Sequence, residues 1–96
     1  MLRHVVFMKF KPETAAADIE AVEKGLAGLP ATIAEIAAFE FGRDVVRSER
    51  SYDFALVSSF ADLDAMQRYQ GHPDHLAVVE KIKPICSSVL AVDFEV

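Results

Sequence analysis

Arg3-His4-Val5-Val6-Phe7-Met8-Lys9-Phe10 is the stretch on which the fold turns. Its β-branched and aromatic residues predict a strand. One parity carries His4, Val6, Met8 and Phe10; the other carries Val5 and Phe7 between Arg3 and Lys9. Both faces are substantially apolar, so both need cover.

Downstream, Lys11-Pro12-Glu13-Thr14 reads as a turn and helix entry, with Thr14 the expected N-cap. Ala15, Ile19, Val22, Leu26 and Leu29 recur at helical spacing and mark one apolar stripe. Gly28 and Pro30 are expected to end that helix. Ile36 to Val46 reads as a second strand, with Gly42 a candidate bulge. The polar run 47–51 is a hairpin loop, and Tyr52 to Phe60 a third strand with Phe54, Leu56, Ser58 and Phe60 on one side. Asp62 caps a short helix carrying Leu63, Met66 and Tyr69, which Gly71-His72-Pro73 interrupts. Pro73 suits the first position of a new helix, whose buried side is expected to carry Leu76, Val79, Ile82 and Cys86. Val89 to Val96 reads as the last strand.

The order β-α-β-β-α-β predicts an α+β, ferredoxin-like domain: an antiparallel four-stranded sheet with helices on one face. The opposite sheet face is then left to a second chain. The expectation is a homodimer, two sheets face to face across a two-fold axis.

Composition agrees with one small domain spanning residues 1–96. Hydrophobic residues make up 52% of the chain, enough for a core and too many for disorder. Ten basic against fifteen acidic residues leave a net charge of −5, which disfavours nucleic acid as a partner. A single cysteine excludes an internal disulfide framework and any Cys-based zinc site. No apolar run reaches the roughly 18–20 residues of a membrane span, and Arg3, His4, Lys9 and Lys11 come too early for a signal peptide. A cytoplasmic protein without membrane contact is expected.

Four pieces of sequence resemble the stress-responsive dimeric α+β barrel (Dabb) family over essentially the whole chain. They are the opening His4-Val5-Val6-Phe7-Met8-Lys9-Phe10-Lys11, the run Phe54-Ala55-Leu56-Val57 leading into Phe60, the segment Tyr69-Gln70-Gly71-His72-Pro73-Asp74-His75, and the closing Asp93-Phe94. The Tyr-x-x-His-Pro-x-His run is the most specific. The resemblance implies the ferredoxin-like fold and the homodimeric barrel. A plant branch of the family consists of polyketide cyclases, in which a tyrosine and a histidine serve as acid and base in an intramolecular aldol condensation without metal or cofactor. By motif position these correspond to Tyr69 and His75, and His4 matches a histidine near that pocket. The chain departs from the cyclase branch in the first helix, which has no aromatic between Phe10 and Phe39 and carries Val22 and Glu23 in that region. With Leu56 and Ser58 at the third-strand positions, a pocket of different shape and greater polarity is expected, and the plant substrate is not carried over.

Independently of the resemblance, His75 falls in the first turn of a helix, where the dipole disfavours imidazolium and lowers its pKa. A neutral imidazole is what a general base requires, and a phenol such as Tyr69 can donate to a carbonyl that is becoming an enolate. The resemblance adds His4, Leu56 and Ser58, together with His72 of the His-Pro-x-His run, to the residues expected around a small apolar or aromatic ligand. The competing structural reading packs Tyr69 in the core with its hydroxyl on backbone, while His75 closes the helix end. His72 and His75 form H-x-x-H, but the extended conformation imposed before Pro73 argues against a shared metal. Arg43, Arg47 and Arg50 read as a solvated loop, and Cys86 as a buried inert thiol. Two functional readings follow: a ligand-binding protein with cofactor-free acid–base chemistry, and a non-catalytic structural or stress-protective dimer with a filled interior. The monooxygenase-like dimeric barrels share the architecture, but no residues here carry their signature more specifically.

Overall fold

The computed structural model describes residues 1–96. Strand β1 (Leu2–Phe10) is followed by helix α1 (Ala16–Thr32), strands β2 (Ala38–Arg43) and β3 (Phe54–Phe60), helices α2 (Leu63–Gly71) and α3 (Pro73–Ile82), a 3₁₀ turn (Lys83–Ile85) and strand β4 (Cys86–Glu95). The sheet is antiparallel in the order β2-β3-β1-β4, so the chain has the expected ferredoxin-like topology. No helix is long and apolar enough to cross a membrane.

The two parities of β1 lead in opposite directions. Leu2, His4, Val6 and Met8 are buried beneath the helices, with Leu56, Ser58 and Phe60 of β3 beside them. Val22, Leu26 and Leu29 of α1, Met66 and Tyr69 of α2, and Val78 and Ile82 of α3 close over that face. The other parity faces away. Val5 pairs with Val57 and Val92, and Phe7 with Ala55 and Leu90, making a continuous apolar surface. There Phe7, Leu90, Val92 and Phe94 are each 42–59% exposed.

Several boundaries differ from the sequence reading, each for a local reason. Thr14 does not cap α1: its hydroxyl donates to the Lys11 carbonyl at 2.6 Å, and Ala15 stands at the cap without a side-chain bond. The helix runs through Gly28 and Pro30 to Thr32. Pro30 forfeits only its own N–H, while burial of Leu29 and Ile33 keeps the last turn wound. Strand β2 stops at Arg43 because the Asp44 carboxylate accepts from the Arg47 N–H at 2.7 Å and turns the chain, leaving Val45 and Val46 in solvent. Gly42 pairs regularly with Ala55; the bulge lies at Lys9/Phe10 instead. Near it, the Asp53 carboxylate accepts from the Phe10 N–H at 2.7 Å, and the Asp53 N–H donates to the Met8 carbonyl. That places Tyr52 and Asp53 outside β3.

The buried side of α3 is carried by Val78 and Ile82, with Val79 half-buried and Leu76 exposed. Its phase is set where it crosses α1: a Cβ on Gly25 would stand 3.0 Å from Cγ2 of Val78. Cys86 belongs to β4, opposite Phe10, rather than to the helix.

The two helical glycines should respond differently to substitution. Gly28 is exposed and has open space at its Cβ position, so Gly28→Ala is expected to stabilise the fold by about 0.5–1 kcal/mol through helix propensity. Gly25→Ala should return less, since Val78 must yield. Urea unfolding of the two variants measures the difference.

Candidate active site

Helix α2 begins at Asp62, whose carboxylate accepts from the Ala65 N–H at 2.9 Å. That start turns Met66 and Tyr69 onto the sheet. The Tyr69 ring is completely buried, with centroids 4.8 Å from Phe60, 4.4 Å from His75, 6.3 Å from His4 and 6.4 Å from Phe39. Its hydroxyl has no hydrogen-bond partner in the protein. The backbone bond of the structural reading is therefore not made. Burial pushes the phenol pKa well up, so the group keeps its proton and remains a donor.

The Gly71-His72-Pro73 break separates α2 from α3. His72 is extended, and its Nδ1 caps α3 by accepting from the Asp74 N–H at 3.0 Å. Two residues into the helix, His75 folds back over Tyr69 and its Nδ1 lies 2.9 Å from the Gln70 carbonyl. A carbonyl can only accept, so Nδ1 carries the proton and Nε2 is the basic nitrogen. Burial lowers the His75 pKa, the Gln70 carbonyl raises it, and the fields of His4 and His72 lower it further. The direction agrees with the sequence reading, but desolvation leads.

His4 is buried on β1, opposite Asp93 of β4, and its Nδ1 is hydrogen-bonded to the Asp93 carboxylate. The sequence reading gave Asp93 no role. The register carries the signal: Val89, Ala91 and Asp93 share the parity opposite Leu90, Val92 and Phe94, which sets the Asp93 carboxylate on the helix side of the strand, opposite His4.

These side chains meet at one end of a cavity of about 310 Å³ between the sheet and α3. His4, Tyr69, Gln70 and His75 line that end; Met8, Leu26, Leu56, Val78 and Ile82 line its length. The lining is mostly apolar, contrary to the expected greater polarity. The physical reason is where the polar candidates go. Ser58 is spent beneath β1, donating to the His4 carbonyl at 3.3 Å, and does not reach the cavity. Glu23 pairs with Arg43 on the surface at 2.7 Å, and His72 turns to its own helix. Among the candidates, then, Tyr69, His75, His4 and Leu56 are brought together, while Ser58 and His72 stand outside the lining.

No three His, Cys, Asp or Glu side chains converge as metal ligands would. Arg43 is paired with Glu23 and Arg47 with Asp44 and Asp53, so these two hairpin arginines are engaged rather than open to an anion. The half-buried Cys86 thiol is pushed up by burial and by Asp53, and stays protonated near neutral pH.

Sheet, helices and cavity together define a ferredoxin-like α+β barrel domain. The chain belongs to the stress responsive A/B barrel domain family, whose model matches residues 2–96. It is 28% identical over 96 residues to the stress-response A/B barrel domain-containing protein HS1 of Arabidopsis thaliana, covering 98% of this chain and 88% of that protein. A dimeric ferredoxin-like protein from Thermobifida fusca superposes with a TM-score of 0.90 at 33% identity, over 99% of this chain and 90% of that one. The hydroxynitrile lyase of Passiflora edulis shares the fold at 17% identity, with a TM-score of 0.87 over 99% of this chain and 92% of its own.

The lowered His75 pKa ties stability to pH. The fold favours the neutral ring, so its contribution is complete above the free-imidazole value of about 6.5 and is lost as pH falls from there through the folded-state value. Histidine NMR should place His75 below that value. Urea midpoints should fall with acidification through the same window in the wild type, and less in His75→Gln.

Proposed function

We propose that the cavity binds a small apolar or aromatic carbonyl compound, and that Tyr69 and His75 act on it by cofactor-free acid–base chemistry. The observation that carries this reading is the fully buried Tyr69 hydroxyl, unpartnered beside a cavity. A buried donor left unpaired costs about 1–3 kcal/mol, and a ligand carbonyl would restore the bond. The apolar walls match the rest of such a ligand. An interior with room in it favours this reading over the structural dimer, whose interior is filled.

In the reaction, His75 Nε2 removes a proton from the carbon beside the carbonyl. The electron pair moves onto the carbonyl oxygen, and the Tyr69 O–H donates to the enolate that forms. Where the compound carries a second carbonyl, the enolate carbon attacks it. The new alkoxide takes the proton back from His75, completing an aldol with no net change in protons. His4, oriented by Asp93, walls the same end. The high pKa of Tyr69 fits a donor that does not ionise, and the low pKa of His75 fits a base that is neutral at pH 7.

The protein is a homodimer on this reading, with a second copy seated on the apolar face of Val5, Phe7, Leu90, Val92 and Phe94. Exposure of that face and the dimeric relative from Thermobifida fusca support it. The single free cysteine suits a reducing, cytoplasmic setting.

Two measurements test these statements. Deuterium uptake from D₂O at the carbon beside the carbonyl of 2-decanone or acetophenone, followed by NMR, should be catalysed by the wild type. His75→Ala should lose about 100-fold or more and Tyr69→Phe about 100-fold; uptake equal in all three refutes the assigned roles. Light scattering should give about 21 kDa, twice the 10.6 kDa chain, and Val92→Glu should return the monomer. A wild-type monomer at micromolar concentration refutes the paired sheets.

A further inference from the structure

We propose, on the basis of the carbonyl-binding reading above, that the ligand carries an anionic group at the end remote from its carbonyl, held by Lys83 at the cavity mouth. Among the residues lining the cavity, Lys83 alone bears a fixed charge, and no Asp or Glu is among them. The cavity is therefore polar at both ends and apolar between. At one end stand Tyr69, His4 and His75; at the other stands an ammonium.

The length of the cavity follows from the elements that wall it. His75 and Lys83 are eight residues apart along α3 and its cap, about 12 Å at the helical rise. His4 and Met8 are four apart on β1, about 13 Å at the strand rise. Both walls describe a channel with its hydrogen-bond donor inside and its cation outside. Val89 of β4, which is 49% exposed, lines the same cavity as Lys83.

The ammonium is available. Its nearest acid is Glu80 at 3.9 Å, and the two side chains are 70% and 76% exposed, a pair too solvated to hold it. Its position is also unusual for this chain, which has fifteen acidic residues against ten basic and repels anions on average. A role limited to the C-terminal dipole of α3 would leave ligand choice untouched. Recognition of an anion makes Lys83 a specificity residue, selecting oxo acids over the neutral ketones that the inner end would accept alike.

Calorimetric titration with 9-oxodecanoate, its methyl ester and 2-decanone separates the two statements, because the three share one carbon chain and one ketone. The wild type should prefer the acid, and the preference should shrink with added salt. Lys83→Gln should weaken the acid about threefold and Lys83→Glu about tenfold, while ester and ketone stay within about twofold. Equal losses for acid and ester, or no loss for either, overturn the assignment of Lys83. If the ketone binds in a Tyr69-dependent way but the acid gains nothing from Lys83, the anion subsite falls and the carbonyl site stands. If none of the three binds, both fall together.

Discussion

The Tyr69 ring sits where α2, α3, β1 and β3 converge, and the packing of the helical layer depends on it. A phenylalanine would make those ring contacts equally well, without an unpaired hydroxyl in the interior. The hydroxyl is thus retained against a desolvation cost that packing does not return. One residue serves as the anchor of a helix and as the donor at the end of a cavity. On the proposed reading this is why the acid–base pair sits at the α2–α3 break rather than on a loop: the break lets His75 lie over the same ring, and the Gln70 carbonyl just before it fixes which nitrogen is basic.

Strand β1 extends that constraint to the whole molecule. Its even residues supply one wall of the cavity, including His4, while its odd residues supply the open apolar face. Between them lies only the thickness of the sheet. Cover over the open face therefore bears on the same strand that positions His4 against Asp93. The chain needs no long loop or inserted lid to build a site, because the two faces of one strand serve the site and the outer surface separately.

Much of this was legible in the residues. The alternation in β1 and β3, the Asp62 cap and Pro73 at a helix start each rest on local physics, and local physics prevailed there. The misread positions are those where a side chain found a partner that spacing does not reveal. Thr14 looked like a cap and instead closes the preceding turn. The family resemblance places Ser58 at the pocket, but its hydroxyl turns to the His4 carbonyl. Val45 and Val46 looked like strand until Asp44 captured the Arg47 amide. Pro30 looked like a terminus, but the burial of Leu29 and Ile33 outweighs one lost bond. The catalytic candidates Tyr69 and His75 were legible as a motif, and their meeting follows from the helix break. Asp93 and Lys83 were less so, because each matters only through strand register or cavity shape.

The central claim is that the buried hydroxyl of Tyr69 is held for a ligand carbonyl. Infrared difference spectroscopy of carbonyl-¹³C-labelled 2-decanone bound to the protein tests it at the bond itself. The account predicts that the bound carbonyl stretch lies below its value in an apolar solvent, and that it returns to that value in Tyr69→Phe although the ketone still binds. A stretch that is the same in both proteins would mean that Tyr69 does not donate to the ligand, and would contradict the account.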